Sequence, residues 1–253
     1  MILIKSVREI EKIRAASKVV ARVLGLMAKY VRPGISTLDL NSIADDYINK
    51  CGGKAAFKGY TVPGLPKYPT ALCISVNNCI VHGIPSAVQI LKDGDIVSID
   101  VGVELNSYFG DAAVTLPVGN VSEENKKLLK ITKEALHQGI EKAKNGNSIG
   151  DISAAIGEYV TKNGYFTAEK LTGHGVGRFL HEEPIIPNFG KIGSGNKLKK
   201  GMTLAIEPMV NIGSPNVIAK EWEFFTQNGK NSAHFEHTIL ITDNEAEILT
   251  IDN

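Results

Sequence analysis

Apolar and polar positions alternate along the chain in two stretches of helical period, each followed by strands. Ile10, Ile13, Val20, Leu24 and Met27 recur at helical spacing between a Ser6/Glu9 capping-box pair and Arg32-Pro33-Gly34, which predicts a first helix. A second helix is predicted from Thr37 to Cys51, stopping at Gly52-Gly53. Lys58 to Pro69, rich in Gly, Pro and Tyr, reads as a loop, and Leu72 to Val76 as a short strand. From Ile96 the period becomes two: Val97, Ile99, Val101 and Val103 share one face, and Ile96, Ser98, Asp100 and Gly102 the other. With Leu105-Asn106 as a two-residue loop, the return strand places Asp111 opposite Asp100. Like charges so placed, with Cβ atoms about 4.5–5.5 Å apart, are destabilising, which calls for a shared proton or a bound cation. Helical period returns from Ser122 to about Lys144 and from Ser148 to Lys162, and short strands and loops follow from Tyr165.

The chain also repeats itself. Gly34, Ser36, Asp39, Tyr47, Lys50 and Gly52 recur 112 residues later as Gly146, Ser148, Asp151, Tyr159, Lys162 and Gly164. Leu91-Lys92-Asp93-Gly94 and the acid Asp100 are echoed by Leu198-Lys199-Lys200-Gly201 and Glu207, and His82-x-x-Pro85 by His181-x-x-Pro184. Three echoes in one order predict two related halves, roughly 1–115 and 118–253, within a single domain spanning 1–253. Matching the halves pairs Asp100 with Glu207, and Asp111 with Glu236. A twofold relation then gathers four carboxylates at one axis. They cannot all be ionised and unpaired in an interior; two divalent cations would remove the conflict. Thr172-Gly173-His174-Gly175 has no evident counterpart in the first half, and its glycines would present His174 from a tight turn as the lone nitrogen ligand. His137 and His237 read as structural.

Composition narrows the classes. A net charge of +1 gives no electrostatic case for nucleic acid or an anionic membrane. No apolar run approaches the roughly 20 residues of a membrane span, and the start Met1-Ile2-Leu3-Ile4-Lys5 does not read as a signal peptide. Cys51, Cys73 and Cys79 lack metal-type spacing and read as reduced thiols, which suggests a cytoplasmic protein. The Lys197 to Lys200 run reads as a solvated turn.

His82-Gly-Ile-Pro, Asp95-Ile-Val-Ser-Ile-Asp100-Val-Gly, Gly110-Asp111-Ala, Gly173-His174-Gly-Val-Gly-Arg, His181-Glu-Glu-Pro184, Ile206-Glu207-Pro-Met and Phe235-Glu236-His-Thr stand in one order across nearly the whole chain. In that order they resemble a type I methionine aminopeptidase. The resemblance implies the pita-bread fold, an α/β (α+β) structure of two pseudo-twofold-related halves. It implies two divalent metal ions (Co(II), Mn(II), Fe(II) or Zn(II)), with Asp111 and Glu236 bridging, Asp100 completing one site, and His174 with Glu207 the other. It makes His82, His181 and Glu207 the catalytic side chains, with His82 and His181 also touching substrate. The methionine pocket maps onto Phe57, Tyr60, Tyr68, Cys73, Leu180 and Trp222, with Phe57 and Leu180 departing from the commonest pattern. The Tyr60–Tyr68 loop is about five residues longer than in short bacterial relatives.

The implied substrates are amino termini of nascent polypeptides and peptides, met by a monomer in transient contact with the ribosome, without nucleic acid or membrane. The short Pro184–Gly201 interval leaves no room for a type II insert, and no amino-terminal zinc-binding extension is expected. An Xaa-Pro dipeptidase shares the fold and metal set but carries a sizeable amino-terminal domain, whereas about eighty residues precede His82 here. A non-catalytic binding protein on this fold would have lost metal ligands, and all five are present.

Overall fold

The structure, a computed structural model, describes residues 2–252; Met1, part of the start read above, lies outside them. The first half runs α1 (Val7–Tyr30), α2 (Thr37–Lys50), β1 (Lys54–Ala55), β2 (Cys73–Val76), β3 (Cys79–Val81), β4 (Ile96–Leu105) and β5 (Tyr108–Pro117). The second runs α3 (Glu123–Lys142), α4 (Ile149–Lys162), β6 (Phe166–Thr167), β7 (Thr172–Gly175), β8 (Glu182–Pro187), β9 (Thr203–Ile206) and β10 (Met209–Asn211). It continues through β11 (Val217–Lys220), β12 (Glu223–Thr226), β13 (Ser232–His234), β14 (His237–Leu240) and β15 (Glu247–Ile248).

Each half packs a helix pair on an antiparallel sheet. On β4, the face predicted to be apolar is sealed: Val97, Ile99, Val101 and Val103 are fully buried against Val20, Val23 and Met27 of α1 and Leu40 and Ile48 of α2. In the second half, Leu128 and Leu136 of α3 and Ile152 and Ile156 of α4 cover Leu204, Ile206 and Ile239 of β9 and β14. Each such aliphatic side chain contributes about 1.5–3 kcal/mol on burial, which holds each helix pair to its sheet. No helix among the described residues is long and apolar enough to cross a membrane.

The repeat is legible in the hydrogen bonds. Both α2 and α4 have 14 residues and begin with capping boxes, Ser36/Asp39 and Ser148/Asp151. Gly34 N–H donates to Leu91 O (2.8 Å) and Gly146 N–H to Leu198 O (3.0 Å). Isolated bridges pair Ser36 with Ile90 and Ser148 with Lys197.

One register differs from expectation. The β4–β5 turn is Asn106-Ser107, not Leu105-Asn106, so Asp100 faces Ala113 and Asp111 faces Gly102. Both turn residues have positive φ (54° and 64°), the primed geometry that suits a twisted hairpin. Asn adopts that conformation readily, whereas Leu105 stays in the strand and packs on the core of the first half. The shift keeps both acids on one face, as diagonal rather than direct neighbours.

Candidate metal centre and active site

The strands of the two halves meet where β5 runs past β14. There the Thr238 hydroxyl accepts from Asp111 N–H (3.0 Å) and donates to Asp111 O (2.7 Å). In the same manner the Thr115 hydroxyl accepts from His234 N–H and donates to His234 O, both at 2.8 Å. Between them Glu236 N–H donates to Ala113 O (2.9 Å). Exchanging the halves therefore maps Asp111 onto His234, Thr115 onto Thr238 and Ala113 onto Glu236. The pairing of Asp111 with Glu236 is thus corrected by two residues. The sheet registers agree: Asp100 faces Ala113 on β5, and continuing the β9–β14 register past Ile206↔His237 sets Glu207 against Glu236. Asp100 and Glu207 are counterparts, as read from sequence.

His174 does not sit on a tight turn. It lies on β7, squeezed between β9 and β8 at a register shift. Its two glycines serve that packing: a Cβ on Gly173 would stand 2.4 Å from Ala205 O, and one on Gly175 2.3 Å from Glu183 O. The strand can carry an imidazole only between two residues without side chains.

These elements bring Asp100, Asp111, His174, Glu207 and Glu236 to one cavity of about 590 Å³, lined also by His82, His181, Phe57, Tyr60, Tyr68, Cys73 and Trp222. Of the residues expected in the pocket, Leu180 alone does not line it. It packs behind, in one cluster with Phe57, Tyr68, Cys73 and Trp222. The Tyr60–Tyr68 loop is folded onto this wall: Trp222 Nε1–H donates to Pro66 O (2.8 Å), and the Tyr68 hydroxyl donates to Gly83 O (2.8 Å). Tyr68 meets Trp222 edge-on at 5.4 Å.

Burial governs the charges. It raises Asp100, Glu207 and Glu236 well above the usual carboxylate range, aided by the neighbouring acids, and raises Asp111 to about 7. It lowers His82 to about 4 and His174 to about 3, with the His181 ring adding to both. Asp100 Oδ1, Asp111 Oδ1 and Glu236 Oε1 are buried without hydrogen-bond partners. Donor atoms of Asp111, His174 and Glu236, and of Glu207, His234 and Glu236, form two groups whose members lie within 4.8 Å of one another. Crowded, unpartnered acceptors beside neutral imidazoles fit a divalent cation.

Sequence reasoning passed over His234, although Ala233-His234-Phe235-Glu236 holds a second ligand type two positions from an acid, the spacing that shares one face of an extended chain. His137 and His237 stand apart from the cavity lining; the His237 Nδ1 pairs with the Thr250 hydroxyl (2.8 Å). All three cysteines are free.

Residues 11–243 match metallopeptidase family M24, and the chain belongs to that family of metal-dependent peptidases. Its similarity is to methionine aminopeptidases end to end. That of Clostridium perfringens is 49% identical, the match covering 99% of each chain. A crystal structure of methionine aminopeptidase from Thermotoga maritima matches at a TM-score of 0.96 and 46% identity, covering 100% of both chains. The prolidase from Pyrococcus furiosus shares the fold at a TM-score of 0.80 and 25% identity, this chain covering 66% of it. The architecture is thus the pita-bread fold, and within the family the chain stands with the methionine aminopeptidases.

Proposed function

We propose that this chain removes the amino-terminal methionine from nascent proteins and peptides whose second residue is small. The observation that carries the reading is a single cavity joining the acid–imidazole cluster to an aromatic-walled apolar slot. Phe57, Tyr60, Tyr68, Cys73 and Trp222 suit a thioether, which packs well against ring edges. Two divalent cations would be held by Asp100, Asp111, His174, Glu207 and Glu236. When bound, they supply Lewis-acid polarisation of the scissile carbonyl and a water acidic enough to ionise near neutral pH.

The rest of the chemistry belongs to side chains. Glu207, held between two imidazoles, carries a proton toward the departing amine; His82 is the alternative carrier. The Tyr60 hydroxyl lies 2.7 Å from His181 Nδ1; in this reading it donates to that nitrogen, which leaves the ring hydrogen on Nε2. His181 then presents Nε2–H to the peptide oxygen as that atom gains charge. The free α-amine binds near Asp100, which restricts cleavage to amino termini. The reading includes one domain over 1–253, a monomeric cytoplasmic enzyme, and transient access to nascent chains at the ribosome.

The test compares kcat/KM for Met-Ala-Ser, Met-Ile-Ser, Leu-Ala-Ser and Ala-Pro. Met-Ala-Ser is expected to be cleaved much the fastest, because a branched second side chain crowds His82 and His181. By the same rule a peptide beginning Met-Ile keeps its methionine, which mass spectrometry of the product reads directly. Faster cleavage of Ala-Pro would move the assignment to an Xaa-Pro dipeptidase; equal rates on Met-Ala-Ser and Met-Ile-Ser would remove the second-residue rule. Asp111→Ala or Glu236→Ala is expected to lower metal content and abolish turnover, whereas full metal content in either variant would end its role as a ligand.

A further inference from the structure

The metal reading above uses one imidazole, His174, yet a second reaches the same acids. His234 is 1% exposed, and its Nε2 has no hydrogen-bond partner. That nitrogen lies 3.4 Å from Glu207 Oε2 and 4.0 Å from Glu236 Oε2. His174 Nε2 lies 3.4 Å from the other oxygen, Glu207 Oε1, so the carboxylate stands between two rings, one at each oxygen. These spacings are too long or misdirected for good hydrogen bonds. The 3.4 Å spacings suit neighbouring donors on one cation, since ligand bonds of about 2.0–2.2 Å set tetrahedral or octahedral neighbours about 3.0–3.5 Å apart, and the 4.0 Å spacing suits ligands on opposite sides of an octahedral ion, about 4.0–4.4 Å apart. The position is rigid as well: Thr115 clamps the His234 N–H and C=O, and β13 pairs His234 with Met209 of β10. Finally, exchange of the halves places His234 where the first half has Asp111, so the second half offers a donor at the position that supplies an acid in the first.

We propose that His234 is a nitrogen ligand of the metal centre, acting with Glu207 and Glu236. The inference rests on the metallopeptidase reading and refines its ligand set. A second imidazole makes the centre softer than one built on carboxylates and His174 alone, favouring Co(II) and Zn(II) over Mn(II).

The test is proton NMR of the metal-stripped full chain reloaded with two equivalents of Co(II), in which a coordinated imidazole shows its ring N–H as a strongly shifted, exchangeable resonance. Two such resonances are expected. His174→Ala should remove one, and His234→Ala the other. His234→Gln can still donate a hydrogen bond to Glu207 but brings no ring. It should also lack the second resonance and bind Co(II) at least about tenfold more weakly by calorimetry. A single shifted N–H in the wild type, lost only in His174→Ala, would overturn the inference while leaving the metal centre standing. So would wild-type Co(II) affinity in His234→Gln, which would reduce the ring to a hydrogen-bonding role. A wild-type chain that takes up no Co(II) would overturn both readings.

Discussion

At the residue scale, Tyr60 and His181 form a pair whose function depends on one proton. The hydroxyl lies 2.7 Å from Nδ1, where in the proposed mechanism it donates and leaves the hydrogen on Nε2, while the ring packs against His174 with centroids 4.3 Å apart. His181→Ala is expected to leave metal content intact and reduce kcat/KM by roughly 10²–10⁴, the range for a lost oxyanion or acid–base group. Tyr60→Phe keeps most of the pocket wall but removes the donor. It should therefore lower kcat with KM for Met-Ala-Ser little changed, whereas a purely structural wall residue would move KM. An unaltered kcat in Tyr60→Phe would show that the hydroxyl does not set the ring. The pair was half legible in the sequence: both residues were singled out, but their contact joins positions 121 apart and only the fold brings them together.

At the element scale, the turn after β7 that carries Leu180 and His181 is pinned by a buried ion pair. Lys5 Nζ donates to Glu182 Oε2 at 2.5 Å, and both side chains are 5% exposed. The same carboxylate accepts the backbone N–H groups of Arg178 (2.7 Å) and Phe179 (3.1 Å). Lys5→Met would leave a buried carboxylate without its counter-charge, at a cost of about 3–5 kcal/mol. Denaturant unfolding should show most of that loss recovered in the Lys5→Met, Glu182→Gln double variant, because the stranded charge is gone; equal stability of the single and double variants would contradict it. Gly175 tests the neighbouring strand. Gly175→Ala should displace β7 from Glu183 and weaken metal binding, read as lost Co(II) uptake rather than lost fold. The sequence carried no sign of this pairing, although Glu182 stands in the His181-Glu-Glu-Pro184 stretch, since a lysine and a glutamate in a charged stretch look solvated until burial is known.

At the scale of the whole molecule, the centre sets how stability depends on pH. In the metal-free protein Asp111 is raised from 3.8 to about 7, and its three acid partners are raised as well. A carboxylate with a raised folded pKa contributes stability that is complete below its unfolded pKa and is lost as pH rises through the folded value. The metal-free protein thus gives up stability from this group between about pH 4 and pH 7. The buried histidines have the opposite sign. His174 and His234, lowered to about 3 by burial, contribute fully above 6.5 and lose that contribution as pH falls toward 3. Cation binding needs the acids ionised and the rings neutral, so both sets favour the loaded form at higher pH. The Tm gained on adding Co(II) should therefore grow from pH 5 to pH 7.5. A gain independent of pH over that interval would mean that these groups do not hold the metal.

By itself the sequence determined what is local or periodic: four helices and the cap of the first, the apolar face of β4, the echo between halves, and most of the acids and imidazoles able to bind metal. Tertiary structure decided which of these meet. The hairpin register turned on which residues accept positive φ, a choice settled by packing Leu105 on the core. The true counterpart of Asp111 emerged only from the crossing of β5 and β14, where two threonine hydroxyls clamp opposite strands. His234 became visible by the same crossing, because burial and the approach of Glu207 come from strands remote in sequence. Periodicity records which side of an element faces inward; it does not record what lies on the other side of the interface.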